Sequence, residues 1–247
     1  MKKNPMRVEN LIWLLIALSA VLYGLDYLMV GSLRDLESSF LGNLAFLPIY
    51  VLFVTLMIEK ILRERERIAI RQKLNMVIGT FFSEIGNHLM RDICGFLERQ
   101  GELEAHLQVS GGWKEAEYLK AGEFLRSHEV RVDSRRGDLA ALKTFLTEKR
   151  PFMLVLMENP NLLEHDEFTD LLWSVFHLIE ELEARRAFDG LPSSDLDHLS
   201  GDIKRVYTYL TREWLSYMRH LQRDYPYLFS LAVRMNPMNP EARAEVY

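Results

Sequence analysis

The chain carries one cysteine, Cys94, so it can form no internal disulfide and has no Cys-x-x-Cys pair for redox or zinc chemistry. It contains no Gly-x-Ser-x-Gly elbow, no Gly-rich loop ending in Gly-Lys-Ser/Thr and no His-Glu-x-x-His. Those gaps remove the signatures of α/β-hydrolases, P-loop nucleotide enzymes and zinc peptidases. An excess of one charge is missing too. With 30 basic and 35 acidic residues the net charge is −5, so nothing global attracts nucleic acid, and none is expected as a partner. No run of alternating apolar and polar residues supports a sheet, and the fold class read from the pattern is all-α. No catalytic residue is assigned, and no cofactor is expected.

Long apolar runs are present. Residues 11–31 and 40–58 are each long enough to cross a hydrocarbon core of about 30 Å, which takes about 20 helical residues whose amides bond internally. An antiparallel transmembrane hairpin over residues 1–58 is the simplest expectation, with the lipid bilayer as partner. Lys2, Lys3 and Arg7 precede the first run, and Lys60, Arg63, Arg65, Arg67, Arg71 and Lys73 follow the second, while the intervening loop has only Arg34 beside Asp35 and Glu37. That bias places both termini on the cytoplasmic side of a plasma (inner) membrane, in a multi-pass topology. A cleavable signal peptide, cut after Ala20, is the competing reading, but hydrophobicity continues to Val30 as in a spanning helix.

Within the first span Ala17, Ala20 and Gly24 lie on one face, where the second span or a neighbouring subunit can approach closely, and Pro48 should bend the second span. Asp26, between Tyr23 and Tyr27, suits an interfacial depth or a polar partner. After the membrane a juxtamembrane stalk helix is expected over residues 59–100. Arg63, Arg65 and Arg67 at its start are candidates for headgroup contact, and Gly79 and Gly86, seven residues apart, are candidates for close packing. A homo-oligomer is expected from the small-residue face and the stalk, with a cytoplasmic protein as a possible further partner. The stretch KLNMVIGTFFSEIGNHLMRDI, residues 73–93, resembles one found in a family of uncharacterised prokaryotic proteins with two N-terminal membrane spans. That resemblance covers the second span and stalk and implies no activity.

Residues 101–236 read as a cytoplasmic helical domain, and 237–247 as a tail without a globular pattern. Helices are expected over 113–125, from an Asp138 cap to Glu148, from Pro151 to a stop at Pro160, over 164–186, from an Asp195 or Ser194 cap to 223, and from Pro226, with a short extended piece at 130–132.

Three pairs with four-residue spacing put a histidine and an acid on one helix face: Glu84 with His88, His177 with Glu181, and His220 with Asp224. Such pairs are the candidate metal ligands. The arrangement resembles non-haem di-iron bundles, hemerythrins included, but lacks their paired Glu-x-x-His repeats and full histidine set. Cys94 near His88 is read as a nucleophile or as a buried thiol. Tyr207, Tyr209, Trp214 and Tyr217, with Arg205, Arg212 and Arg219, are read as a ligand-stacking surface or as a core edge with snorkelled arginines. Three function classes follow: a membrane-anchored regulatory, sensing or scaffold protein, an oligomeric channel or membrane-perturbing effector, and a membrane-bound metal-dependent enzyme.

Overall fold

The computed structural model describes residues 8–30 and 33–246, and nine α-helices run through them. They are α1 (Val8–Val30), α2 (Leu33–Phe81), α3 (Asn87–Cys94), α4 (Gln100–Leu107), α5 (Glu115–Ser127), α6 (Leu139–Met157), α7 (Asp166–Ala184), α8 (Ser193–Asp224) and α9 (Pro226–Arg234). A π-helical turn, Phe82–Gly86, joins α2 to α3, and a 3-10 turn, Pro160–Glu164, precedes α7. No strand occurs among the described residues; the extended piece expected at 130–132 is a single bridge between Leu97 and Val132. The all-α reading holds.

The chain divides into two compact units, Met1–Arg67 and Ile68–Tyr247. In the first, Tyr23 on α1 meets α2 through the Phe40 ring, 6.3 Å between centroids, and through Asn43, whose Nδ2 donates to the phenol oxygen at 3.3 Å. Apolar side chains of this unit stand in the open: Trp13, Leu28 and Phe53 are 70%, 79% and 68% exposed. Among the described residues one helical stretch, Gly42–Cys94, holds a window long and apolar enough to cross a membrane, and α1 adds a shorter apolar run, Ile16–Leu25. The helix continues through Pro48. A Cβ on Gly24 would meet no atom within 4 Å, so the packing within the hairpin expected of the small-residue face is not seen there. Lys2, Lys3, Arg7, Gly31 and the side chain of Asp26 lie outside the described residues.

The second unit is built around α8. Its 32 residues bury Leu199, Ile203, Val206, Tyr207, Leu210, Trp214, Leu215, Met218 and Leu221, and α3, α5, α7, α9 and the π turn all pack on it. Its most extensive partner is α7, which buries Phe168, Leu171, Leu172, Val175, Leu178, Ile179 and Leu182 along one stripe. Removing one such leucine to alanine costs about 2–5 kcal/mol. Asp138 caps α6 as expected, accepting the Ala141 N–H at 2.9 Å, but α6 does not stop before Pro151. Leu142, Leu146, Met153 and Leu156 form one buried series across that proline, and their burial outweighs the roughly 3 kcal/mol a mid-helix proline costs. No side chain caps α8; Asp195 points instead to Arg185.

Two further expectations are corrected. The stalk helix expected over residues 59–100 stops earlier, at Cys94, after running from α2 through the π turn into α3, and from Leu74 onward its apolar stripe is core, packed on α8 and α7. Nor is the tail free of the domain. Met238 is buried against Cys94 Sγ at 3.9 Å and the Tyr207 hydroxyl at 3.6 Å, and buried Asn236 donates to the Leu107 carbonyl at 3.0 Å.

The two stalk glycines differ in kind. A Cβ on Gly79 would lie 3.5 Å from the Tyr217 ring, an ordinary contact, whereas one on Gly86 would lie 2.5 Å from Phe82 Cδ1 and 3.0 Å from Phe81 Cε1. Neither ring can yield. Phe82 stacks on Tyr217 at 5.0 Å, and Phe81 sits edge-on to Phe168 at 5.5 Å. Gly86→Ala should therefore destabilise the protein by about 1–3 kcal/mol and Gly79→Ala by less than about 1, as read from denaturant melts. Equal effects would mean that the rings are free to move.

Glu213 on α8 is 2% exposed, and its Oε1 has no hydrogen-bond partner. His165 Nδ1 lies 3.9 Å away but accepts the Phe168 N–H at 3.1 Å, so that nitrogen offers no proton. Burial, with Glu167 nearby, pushes Glu213 up from 4.5 to about 7. The folded state then binds more protons than the unfolded one between those values, and stability falls as pH rises from about 4.5 to about 7. Glu213→Gln should flatten that slope and raise stability at pH 8 by on the order of 1–3 kcal/mol, measured by thermal melts across pH. An unchanged slope would assign the pH dependence to other groups.

Candidate metal centre

The loop between α7 and α8 turns the chain back, so the two helices run antiparallel. Arg185, just past the end of α7, sets the register. Its guanidinium is bidentate to Asp195 in the first turn of α8, at 2.6 and 2.9 Å, and donates to Glu181 at 2.7 Å. Lys143 from α6 donates to the Arg185 carbonyl at 2.7 Å, so the end of α7 is satisfied from outside the helix. These bonds hold the Glu181 and Asp195 carboxyls below the usual carboxylate range, the Arg185 hydrogen bond being the main cause for each.

With that register, His177 lies across from Asp202 and Glu181 across from His198. Each helix contributes one histidine and one acid four residues later, and the antiparallel arrangement sets the histidine of one beside the acid of the other. The Nε2 of His177 is 3.6 Å from Asp202 and 3.9 Å from Glu181; that of His198 is 3.3 Å from Asp202 and 3.6 Å from Glu181. One donor atom from each of the four falls within 4.8 Å of all the others. An ion bonded at about 2.1 Å to four tetrahedral ligands sets those ligands about 3.4 Å apart, so donors that now lie within 4.8 Å of one another would have to draw in by up to about 1.4 Å around it. Two imidazoles and two carboxylates make a mixed nitrogen and oxygen set, suited to zinc, manganese, iron(II), cobalt or nickel rather than calcium or copper(I).

Asp202 gives the cluster its direction. The residue is 3% exposed; Oδ1 accepts from Arg205 at 2.9 Å, but Oδ2, the oxygen facing His198, is buried with no hydrogen-bond partner. An unmatched oxygen on a buried carboxylate costs free energy unless something positive or protonated meets it. Both histidines are more open, with side chains 44% and 53% exposed, so an ion has a path in from solvent.

The other sequence candidates go elsewhere. Glu84 faces Lys149 at 3.6 Å while His88 stacks on Phe145 at 4.1 Å and faces Asp92 at 3.4 Å, so that pair is split between partners. His220 and Asp224 stay together at 2.8 Å, and the additional neighbour of His220 Nδ1 is the Asn75 amide at 3.3 Å; among the described residues no further histidine or acid joins them in a cluster. His198 and Asp202 were not among the expected ligands, although they repeat the four-residue signal. Cys94 is a buried thiol whose pKa burial pushes up to about 11, which leaves it unreactive near neutral pH. Tyr207 and Trp214 are core, and Tyr217 is stacked on Phe82, so the aromatic row offers no stacking surface. Arg63 pairs with Glu59 beside it.

A family model described as "Uncharacterized protein MJ1433, C-terminal helical domain" matches residues 70–234, and a second, "MJ1433, N-terminal helical domain", matches residues 2–62. The chain belongs to the MJ1433 family. The uncharacterized protein MJ1433 of Methanocaldococcus jannaschii is 45% identical over 226 residues, which cover 91% of this chain and 90% of the relative. No solved structure matches. All four clustered residues fall inside the part matched by the C-terminal model of the MJ1433 family.

Proposed function

We propose that this MJ1433-family protein is anchored in a lipid bilayer by its first unit and that its second unit is a regulatory or sensing domain which takes up a divalent transition-metal ion between α7 and α8. The observation that carries the metal reading is the convergence of His177, Glu181, His198 and Asp202, with a buried, unpartnered carboxylate oxygen among them. The anchor reading is supported by the apolar side chains that the first unit leaves in the open and by the span-length apolar window in α2. A sensing role suits the cluster better than catalysis. The ion would bridge the two helices of the main helix pair, and so act on the stability of the domain, while no nucleophile or general base is assigned beside it.

An ion present at a hundred times its dissociation constant stabilises the state that binds it by about 2.7 kcal/mol, which for a domain of this size is about 5–10 °C. Metal-stripped full chain in nanodiscs should show that rise on titration with at least one of zinc, manganese, cobalt or iron(II), and His198→Ala and Asp202→Asn should abolish it. No rise with any of the four ions, or the same rise in both variants, would remove the metal reading. Separately, the chain should stay with membranes under alkaline carbonate and leave them in detergent; release by carbonate would overturn the anchor.

A further inference from the structure

A cavity of about 210 Å³ lies between α5 and α8, beside the start of α7. Two of its polar wall groups are left without partners: the hydroxyl of Tyr118, a residue only 4% exposed, and the Nε of Arg212, both buried. An arginine Nε can only donate, and burial pushes the Tyr118 phenol up to about 12, so it too is held as an O–H donor. Two buried donors on one cavity wall call for an acceptor between them. Arg126 and Arg219 lie on the same lining, Arg219 already paired with Glu115, and the single acid in the lining is Glu167, so the wall carries three guanidiniums against one carboxylate. Ser216 adds one hydroxyl, and the apolar part of the lining is supplied by Leu119, Leu125 and Leu215.

We infer that this cavity is a binding site for a small oxyanion-bearing molecule, one with a carboxylate or phosphate group and a short apolar body. The head group accepts from Arg212 and Tyr118 with Arg126 supplying charge, and the body lies on the leucines. The volume is below the 300–1,000 Å³ usual for drug-sized ligands, which limits the occupant to a short-chain compound. Tyr118 and Arg212 are on different helices, so occupancy ties α5 to α8. The site is independent of the metal cluster, since Arg212 is ten residues and so about 15 Å along α8 from Asp202.

Calorimetric titration of the full chain in nanodiscs with butyrate, inorganic phosphate and the neutral analogue butyramide tests this. Saturable binding of butyrate or phosphate is expected, with butyramide at least tenfold weaker, and the response of the two anions tells a carboxylate site from a phosphate site. Tyr118→Phe and Arg212→Gln should each weaken the anion tenfold or more. Arg126→Gln, at an exposed position that leaves the core intact, should weaken it several-fold, so a folded variant reports even if Arg212→Gln does not fold. Butyramide binding as well as butyrate, no saturable binding of either anion, or binding unchanged by Tyr118→Phe and Arg126→Gln would show that water alone fills the cavity and overturn the proposal. None of those outcomes bears on the metal titration.

Discussion

The antiparallel register of α7 against α8 is the constraint on which the second unit depends. It is fixed at one end by Arg185, which joins the last turn of α7 to the first turn of α8, and along its length by two apolar stripes that interlock. A buried stripe tolerates little sliding, because a shift of even one residue turns apolar side chains out and polar ones in. The same register that closes the core also brings His177 to Asp202 and Glu181 to His198. Donor convergence is thus a by-product of packing that the core holds in place, as a preformed metal site requires.

Among the described residues, α8 carries three of the five buried side-chain atoms that lack a hydrogen-bond partner. Asp202, Thr211 and Glu213 are its buried polar residues; Thr211 bonds back to the Tyr207 carbonyl, whereas Glu213 and one oxygen of Asp202 are left unmatched. Glu213 is met by burial and a neighbouring acid and is pushed toward neutrality, while the Asp202 oxygen faces a histidine. The contrast separates a carboxyl whose neutral form is favoured by burial from one that lies beside an imidazole. Next to Glu213 on α8 the orphaned group is a donor, Arg212 Nε, and across from it on α5 the Tyr118 hydroxyl is a second.

Much of this was legible in the chain. The helical periods, the Asp138 cap and the Pro226 start follow from local rules, and all three appear where those rules put them. The failures have a common cause. Local rules stop one helix at Glu148 and start the next at Pro151, and they run the stalk helix to residue 100, but buried contacts carry α6 across the proline and draw Phe96 and Leu97 into the core past the helix end at Cys94. Met238 was assigned to a free tail because nothing local says that Cys94 and Tyr207 leave a space for its side chain. His177 and Glu181 could be picked out as a pair, and His198 with Asp202 carried the same spacing. That the two pairs face each other is a fact about the turn between them.

The sequence by itself determined that the chain is all-α, that its first sixty or so residues are strongly apolar, and that histidines and acids recur four residues apart on helix faces; each is set by neighbours within one or two turns. Only the tertiary structure decided which of those faces meet. It paired His177–Glu181 with His198–Asp202, sent Glu84 and His88 to different partners, and set Arg212 and Arg219 beside α5 while Arg205 went to Asp202. Contacts between distant segments depend on how whole apolar surfaces fit together, which no short stretch of chain encodes.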